Sequence, residues 1–182
     1  MNAHLGYAGI MPTRISATVD PERSLVQART EQGHPIGMDA APPDGDGTAA
    51  EPKEALLAAL AGCTGMDVAS ILRKKRQVPA AYEIAVSGES ATEHPKVFTA
   101  ITVEHRVSGS VMAEALRRSI ELSAISYCPV NAMLSASVTI EHWYRLTGED
   151  GSTAQALVAV TGPQGSRVME SSSPGHETER SS

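Results

Sequence analysis

The chain has 182 residues and a formal net charge of −6, with 41% hydrophobic and 3% aromatic side chains, a size that suits one domain with its own core. The acidic balance argues against nucleic acid, whose phosphates require a clustered basic face, and no apolar run approaches the roughly 18 residues of a membrane span. The start, MNAHLGYAGIMPTRI, lacks the charged and apolar regions of a secretory signal, and two cysteines make no disulfide scaffold, so the expectation is a cytoplasmic protein with neither nucleic-acid nor membrane partners.

Residues 1–13 read as an N-terminal extension. Two strands, Arg14 to Val19 and Ser24 to Arg29, flank an Asp-Pro-Glu-Arg turn in which Pro21 presets the dihedral. Pro35 to Asp39 forms a third short strand, and APPDGDGTAAEP is a loop. From Pro52 the sequence PKEALLAALAGCTGMDVASILRKKRQ predicts a long helix, with Pro at its first position and cations at its end. Gly62 and Gly65 weaken its middle and suit close packing against another backbone.

Two strands follow, Tyr82 to Gly88 and Val97 to Val107, the second alternating an apolar face with a mixed one. Ser110 is positioned to cap a second helix, VMAEALRRSIELSAI. After a break at Ser126-Tyr127-Cys128-Pro129 come a short helix, Val130 to Ser135, and a last strand, Val138 to Leu146. The order βββ-α-ββ-α-α-β describes an α+β domain over residues 14–146. Residues 147–182, acidic and free of aromatics, read as a mostly disordered low-complexity tail with at most a brief strand at Ala156 to Val160.

The cysteines are the candidate chemical groups. Cys63 lies inside the long helix. Cys128 directly precedes Pro129 at a helix start, where free amide N–H groups favour a thiolate. Two inert core cysteines are the alternative that spacing alone leaves open. No CxxC, HExxH or HxxxH pattern occurs, so no metal is expected. His105 and His142 fall on the apolar phase of their strands and read as structural. The RKKR run at 73–76 reads as a solvated helix end.

Three stretches, PKEALLAALAGCTGMDVASILRKKRQ at 52–77, EHPKVFTAITVEHRV at 93–107 and ELSAISYCPVNAMLSASVTI at 121–140, resemble the OsmC/Ohr family of thiol-dependent peroxidases. The wording of the first is most similar to the YhfA-like branch. The resemblance implies an intertwined homodimer with two central helices packed on antiparallel sheets. It further implies reduction of organic hydroperoxides by two cysteines without a bound cofactor, and renewal by an external dithiol. Carried over by position, Cys63 is the peroxidatic thiol and Cys128 the resolving one. An Arg near the first turn is to activate Cys63, with Arg23 the chosen candidate and Arg14 and Arg29 its rivals. A Glu at the helix start is to orient that Arg.

In the Ohr branch that Glu follows the motif's proline. Here Lys53 stands there, and the carboxylate comes one place later as Glu54. Nine residues from Glu54 to Cys63 amount to about 900° of helical rotation, which puts them on opposite faces. The alternative function on the same fold is a non-enzymatic protein that binds a small hydrophobic ligand near Cys63, Leu60 and Met66, or a redox sensor.

Overall fold

The computed structural model describes residues 12–170. They divide between Ala55 and Leu56 into two compact units.

The first unit carries a three-stranded antiparallel sheet in the order β1-β2-β3, with β1 at Ile15–Asp20, β2 at Leu25–Thr30 and β3 at Pro35–Met38. The predicted turn between β1 and β2 is held by Asp20, whose Oδ1 accepts the backbone N–H groups of Glu22 (3.0 Å) and Arg23 (3.3 Å). Asp and Asn favour such turns because the side chain substitutes for a backbone acceptor. In the following loop Asp39 Oδ2 accepts from Thr48 N–H at 2.8 Å and Thr48 Oγ1 at 2.7 Å.

Helix α1, Pro52–Lys74, runs across the unit boundary. Pro52 occupies its first position, and Glu54 Oε2 reaches back to accept Glu51 N–H at 2.9 Å, which satisfies an otherwise orphaned donor. At its end Arg76 takes a left-handed conformation at φ 58°, while Gln77 N–H bonds Leu72 O and Arg76 N–H bonds Arg73 O. That is a Schellman stop. Leu60, Thr64, Val68 and Leu72, spaced by four, form its buried stripe. By length and composition α1 could cross a membrane, which corrects the expectation that no segment approaches that length. Alanine and glycine supply apolar character without a run of large side chains.

The second unit is built on a five-stranded sheet in the order β4-β5-β6-β7-β8, formed by Ala81–Ser90, Phe98–Ser108, Thr139–Thr147, Thr153–Gly162 and Gly165–Val168. Its pairs are antiparallel except β5 with β6, which is parallel. A parallel pair needs a long crossover, and here the helices between β5 and β6 supply it. They are α2 at Ala113–Leu122, a single π-helical turn at Ser123–Tyr127, and α3 at Pro129–Ser135. One sheet face presents Ile101, Val103, His105 and Val107 from β5 and Ile140, His142, Tyr144 and Leu146 from β6, all buried. Two apolar clusters form there. Val68 and Leu72 of α1 join Leu116 and Ile120 of α2 in one, and Leu60 joins Ile101, Val103, Ile140 and Cys128 in the other.

Two expectations are corrected. The segment assigned to a disordered tail supplies β7 and β8, and Val158 and Ala159 are fully buried. A strand that borrows its ladder from β6 needs little apolar content of its own, which is why composition alone underrates it. Residues 171–182 lie outside the described residues. Ser110 does not cap α2: the helix starts at Ala113 with Met112 at the N-cap position, and Gln77 Oε1 accepts Met112 N–H at 2.8 Å. A side chain 35 residues away thus does what a local cap usually does.

Candidate functional site

Cys63 sits mid-way along α1, one turn beyond the buried Leu60 and beside the buried Thr64. Cys128 ends the π turn and is the N-cap of α3, with Pro129 at the first helical position. Its sulfur accepts Asn131 N–H at 3.3 Å. Though 65 residues apart in sequence, the two sulfurs and a carboxylate oxygen of Asp67 all lie within 4.8 Å of one another. The fold thus brings together the two predicted cysteines.

The surroundings differ between the two thiols. Cys128 is 3% exposed, and burial, reinforced by a hydrogen bond to Cys63, pushes its pKa up to about 12. Amide N–H groups of Asn131 and Val130 pull the other way but do not prevail. The expectation that a helix-start position makes Cys128 a thiolate is therefore corrected: desolvation of the charged form outweighs a few amide donors. Cys63 is the more accessible of the pair.

Behind the sulfurs lies a buried polar network. Asn131 Nδ2 donates to Ala124 O at 2.8 Å, which leaves Oδ1 as acceptor for His142 Nε2 at 2.9 Å and Thr161 Oγ1 at 3.3 Å. Next to it on the same sheet face, His105 Nδ1 pairs with Tyr82 Oη at 2.6 Å. Burial lowers His105 to about 3 and His142 to about 4, so both imidazoles are neutral. The structural reading of these two histidines agrees with their hydrogen bonds.

Asp67 is not among the residues that the sequence singles out. It stands four residues after Cys63, one helical turn on, so the i,i+4 pair Cys63–Asp67 is a usable signal. Ser123 Oγ, from the π turn, donates to Asp67 Oδ2 at 3.0 Å and lies 3.1 Å from the hydroxyl oxygen of Thr64.

The other two candidates are engaged within the first unit. Arg23 is paired with Asp46, and its Nε–Oδ2 distance is 3.0 Å. Glu54 holds the N-cap amide of its own helix. The rival Arg14 pairs with Glu31 at 3.3 Å, and Arg29 donates to Gly33 O at 3.3 Å. Of the residues expected to flank an apolar pocket, Leu60 is fully buried and Met66 is 72% exposed.

Comparison with known proteins matches residues 45–142 to the family described as OsmC-like protein. Protein YhfA of Escherichia coli K12 is 38% identical over 115 residues, 63% of this chain and 84% of that one. A hypothetical protein from Aquifex aeolicus VF5 shares the fold with a TM-score of 0.68 and 26% identity, over 77% of this chain and 99% of that one. The organic hydroperoxide resistance protein OhrB of Bacillus subtilis shares the fold alone, with a TM-score of 0.54 and 13% identity over 72% of this chain and 96% of that one.

Proposed function

The chain belongs to the OsmC-like family, and on that premise we propose that it is a thiol-dependent peroxidase reducing organic hydroperoxides to alcohols through a Cys63–Cys128 sulfenate–disulfide cycle. The observation that carries this reading is the approach of the two sulfurs to within 4.8 Å. A disulfide needs about 2 Å, so the cycle requires the two sulfurs to close the remaining distance.

Cys63 acts first because it is the more accessible sulfur. Its thiolate attacks one peroxide oxygen, the O–O bond breaks, and the alcohol leaves with a proton. Cys63 becomes a sulfenic acid. Cys128 then attacks that sulfur, giving up its proton to the departing sulfenic oxygen as the S–S bond forms. Water leaves, taking the sulfenic oxygen and the Cys128 proton, and the disulfide forms. An external dithiol reduces it by two exchange steps. Arg23 is held by Asp46 and Glu54 by its own helix cap, so the proposal gives the chemistry to the two cysteines and rests on neither of these residues.

The working form in this proposal is a cytoplasmic homodimer. Opposite its buried stripe, α1 exposes Leu56, Ala59, Gly62, Met66 and Ala69, an apolar face at helical spacing. In the first unit Ile15 and Val19 are each 59% exposed on one face of β1. Faces of this kind suit burial against a second copy.

The test is a thiol count on reduced protein before and after stoichiometric cumene hydroperoxide, with Cys63→Ser and Cys128→Ser variants and a hydrogen peroxide control. Rapid loss of both thiols to an intramolecular disulfide is expected. Cys63→Ser should abolish it, and Cys128→Ser should stop at the sulfenic acid. Thiols that survive excess hydroperoxide for many minutes overturn the peroxidase and leave the ligand-binding alternative.

A further inference from the structure

We propose that the reduced Cys63–Asp67–Cys128 cluster is a binding site for one zinc-class divalent cation per protomer. The inference concerns the same sulfurs but does not depend on peroxidase activity.

The donor set comes first. Two cysteine sulfurs and one carboxylate oxygen lie mutually within 4.8 Å. Tetrahedral zinc with ligand bonds of about 2.0–2.3 Å holds its ligands about 3.5–3.8 Å apart, so closure needs about an ångström of contraction. Soft thiolates select against magnesium and calcium, and a carboxylate with two thiolates suits zinc. Without a cation the cluster sets an acid beside two thiols, one of them deep in the core.

The second observation is the outer shell. Metal ligands are usually held in place by further hydrogen bonds. Here Ser123 Oγ donates to Asp67 Oδ2 at 3.0 Å, leaving the other carboxylate oxygen without that restraint, and Asn131 N–H donates to the Cys128 sulfur at 3.3 Å. Both ligands are therefore oriented before any ion arrives. Cys63 and Asp67 share a turn of α1, while Cys128 lies 61 residues beyond Asp67. No linear metal motif exists at that spacing, which is why the sequence offers no such site. Three protein ligands leave a fourth position open, as in reactive rather than purely structural zinc sites. Joining the two sulfurs in a disulfide removes both from the metal, so occupancy is tied to the reduced state.

The test uses the full chain, reduced and stripped of metal. Zinc is titrated in competition with a chromophoric chelator, and cadmium is titrated with its thiolate charge-transfer band as a count of sulfur ligands. One ion per protomer and a two-thiolate cadmium band are expected. Protein oxidised with diamide should bind neither ion. Cys63→Ser should weaken zinc binding by at least about 100-fold, and Asp67→Asn by about 10–100-fold with the cadmium band kept. Ser123→Ala should lose about tenfold. Cys63 and Asp67 are only half-buried, so these variants decide the matter if Cys128→Ser fails to fold; circular dichroism checks each one. The site is overturned if reduced protein leaves all zinc with the chelator, or if Cys63→Ser or Asp67→Asn binds zinc as tightly as the parent. Thiols inert to hydroperoxide but able to hold zinc would sink the peroxidase alone. Hydroperoxide-reactive thiols that bind no zinc would sink the metal site alone.

Discussion

Asn131 Oδ1 accepts a hydrogen bond from His142 Nε2 across 2.9 Å, while the amide N–H of the same asparagine caps the Cys128 sulfur. One residue therefore ties the turn that carries Cys128 to the central strand β6. Because Asn131 Nδ2 is committed to Ala124 O, its oxygen must face the histidine, and His142 carries its proton on Nε2.

Removing the side chain in Asn131→Ala strands His142 Nε2 and Ala124 O in the core. Each buried polar group left without a partner costs about 1–3 kcal/mol. A loss of about 2–4 kcal/mol in unfolding free energy is expected. Urea denaturation followed by the fluorescence of Trp143, the single tryptophan, measures it. A change below about 0.5 kcal/mol, the size of an ordinary surface substitution, would show that the network does not hold the turn.

Stability should fall on acidification through the histidine range. His105 faces Tyr82 and lies near His142, and His142 faces Asn131; burial lowers their pKa values to about 3 and about 4. The unfolded chain takes up protons below about 6.5 while the folded one does not. Their contribution to stability is thus complete above about pH 6.5 and is lost as pH falls toward 4. Between pH 7 and 5 the loss should be on the order of 1–2 kcal/mol for each histidine. Chemical denaturation at both pH values, repeated on His142→Gln, checks the sign. A variant with the same pH slope as the parent refutes the assignment.

The two thiols should differ in alkylation. With Cys128 pushed up to about 12, mainly by burial, its thiolate is scarce at pH 8. In Cys63→Ser, iodoacetamide should label the remaining thiol at least about 100-fold more slowly than in the unfolded protein. Mass spectrometry of timed samples reads this directly. Labelling at the unfolded rate would mean that the core around Cys128 opens readily.

Assembly is tested on the exposed face of α1. Met66, 72% exposed, lies within the stripe that the proposed homodimer covers. Met66→Arg should leave the protomer folded and shift sedimentation from dimer to monomer at micromolar concentration. An unchanged dimer would place the interface elsewhere. A parent protein that is already monomeric would remove it.

Local chemistry is legible in the order of residues. Pro52 and the Ala/Leu-rich run predict α1, the alternation from Val97 predicts β5, and Cys128-Pro129 marks the start of α3, because capping and periodicity act over a few residues. Features set by distant partners do not show in that way. The segment after Thr147 reads as able to order no more than a brief strand at Ala156 to Val160, and its ladder with β6 extends that strand to Thr153–Gly162. Ser110 reads as a cap, but Gln77 takes that role from another element.

The same division runs through the site. The sequence by itself determined the family resemblance, the identity of the two cysteines and the structural character of His105 and His142, since all of these follow from residue type, motif and period. Tertiary structure alone decided that the two sulfurs meet, that Asp67 joins them, and that Cys128 is a thiol rather than a thiolate. Those depend on distance and desolvation, and both are fixed only when helices remote in the chain pack over one face of a sheet.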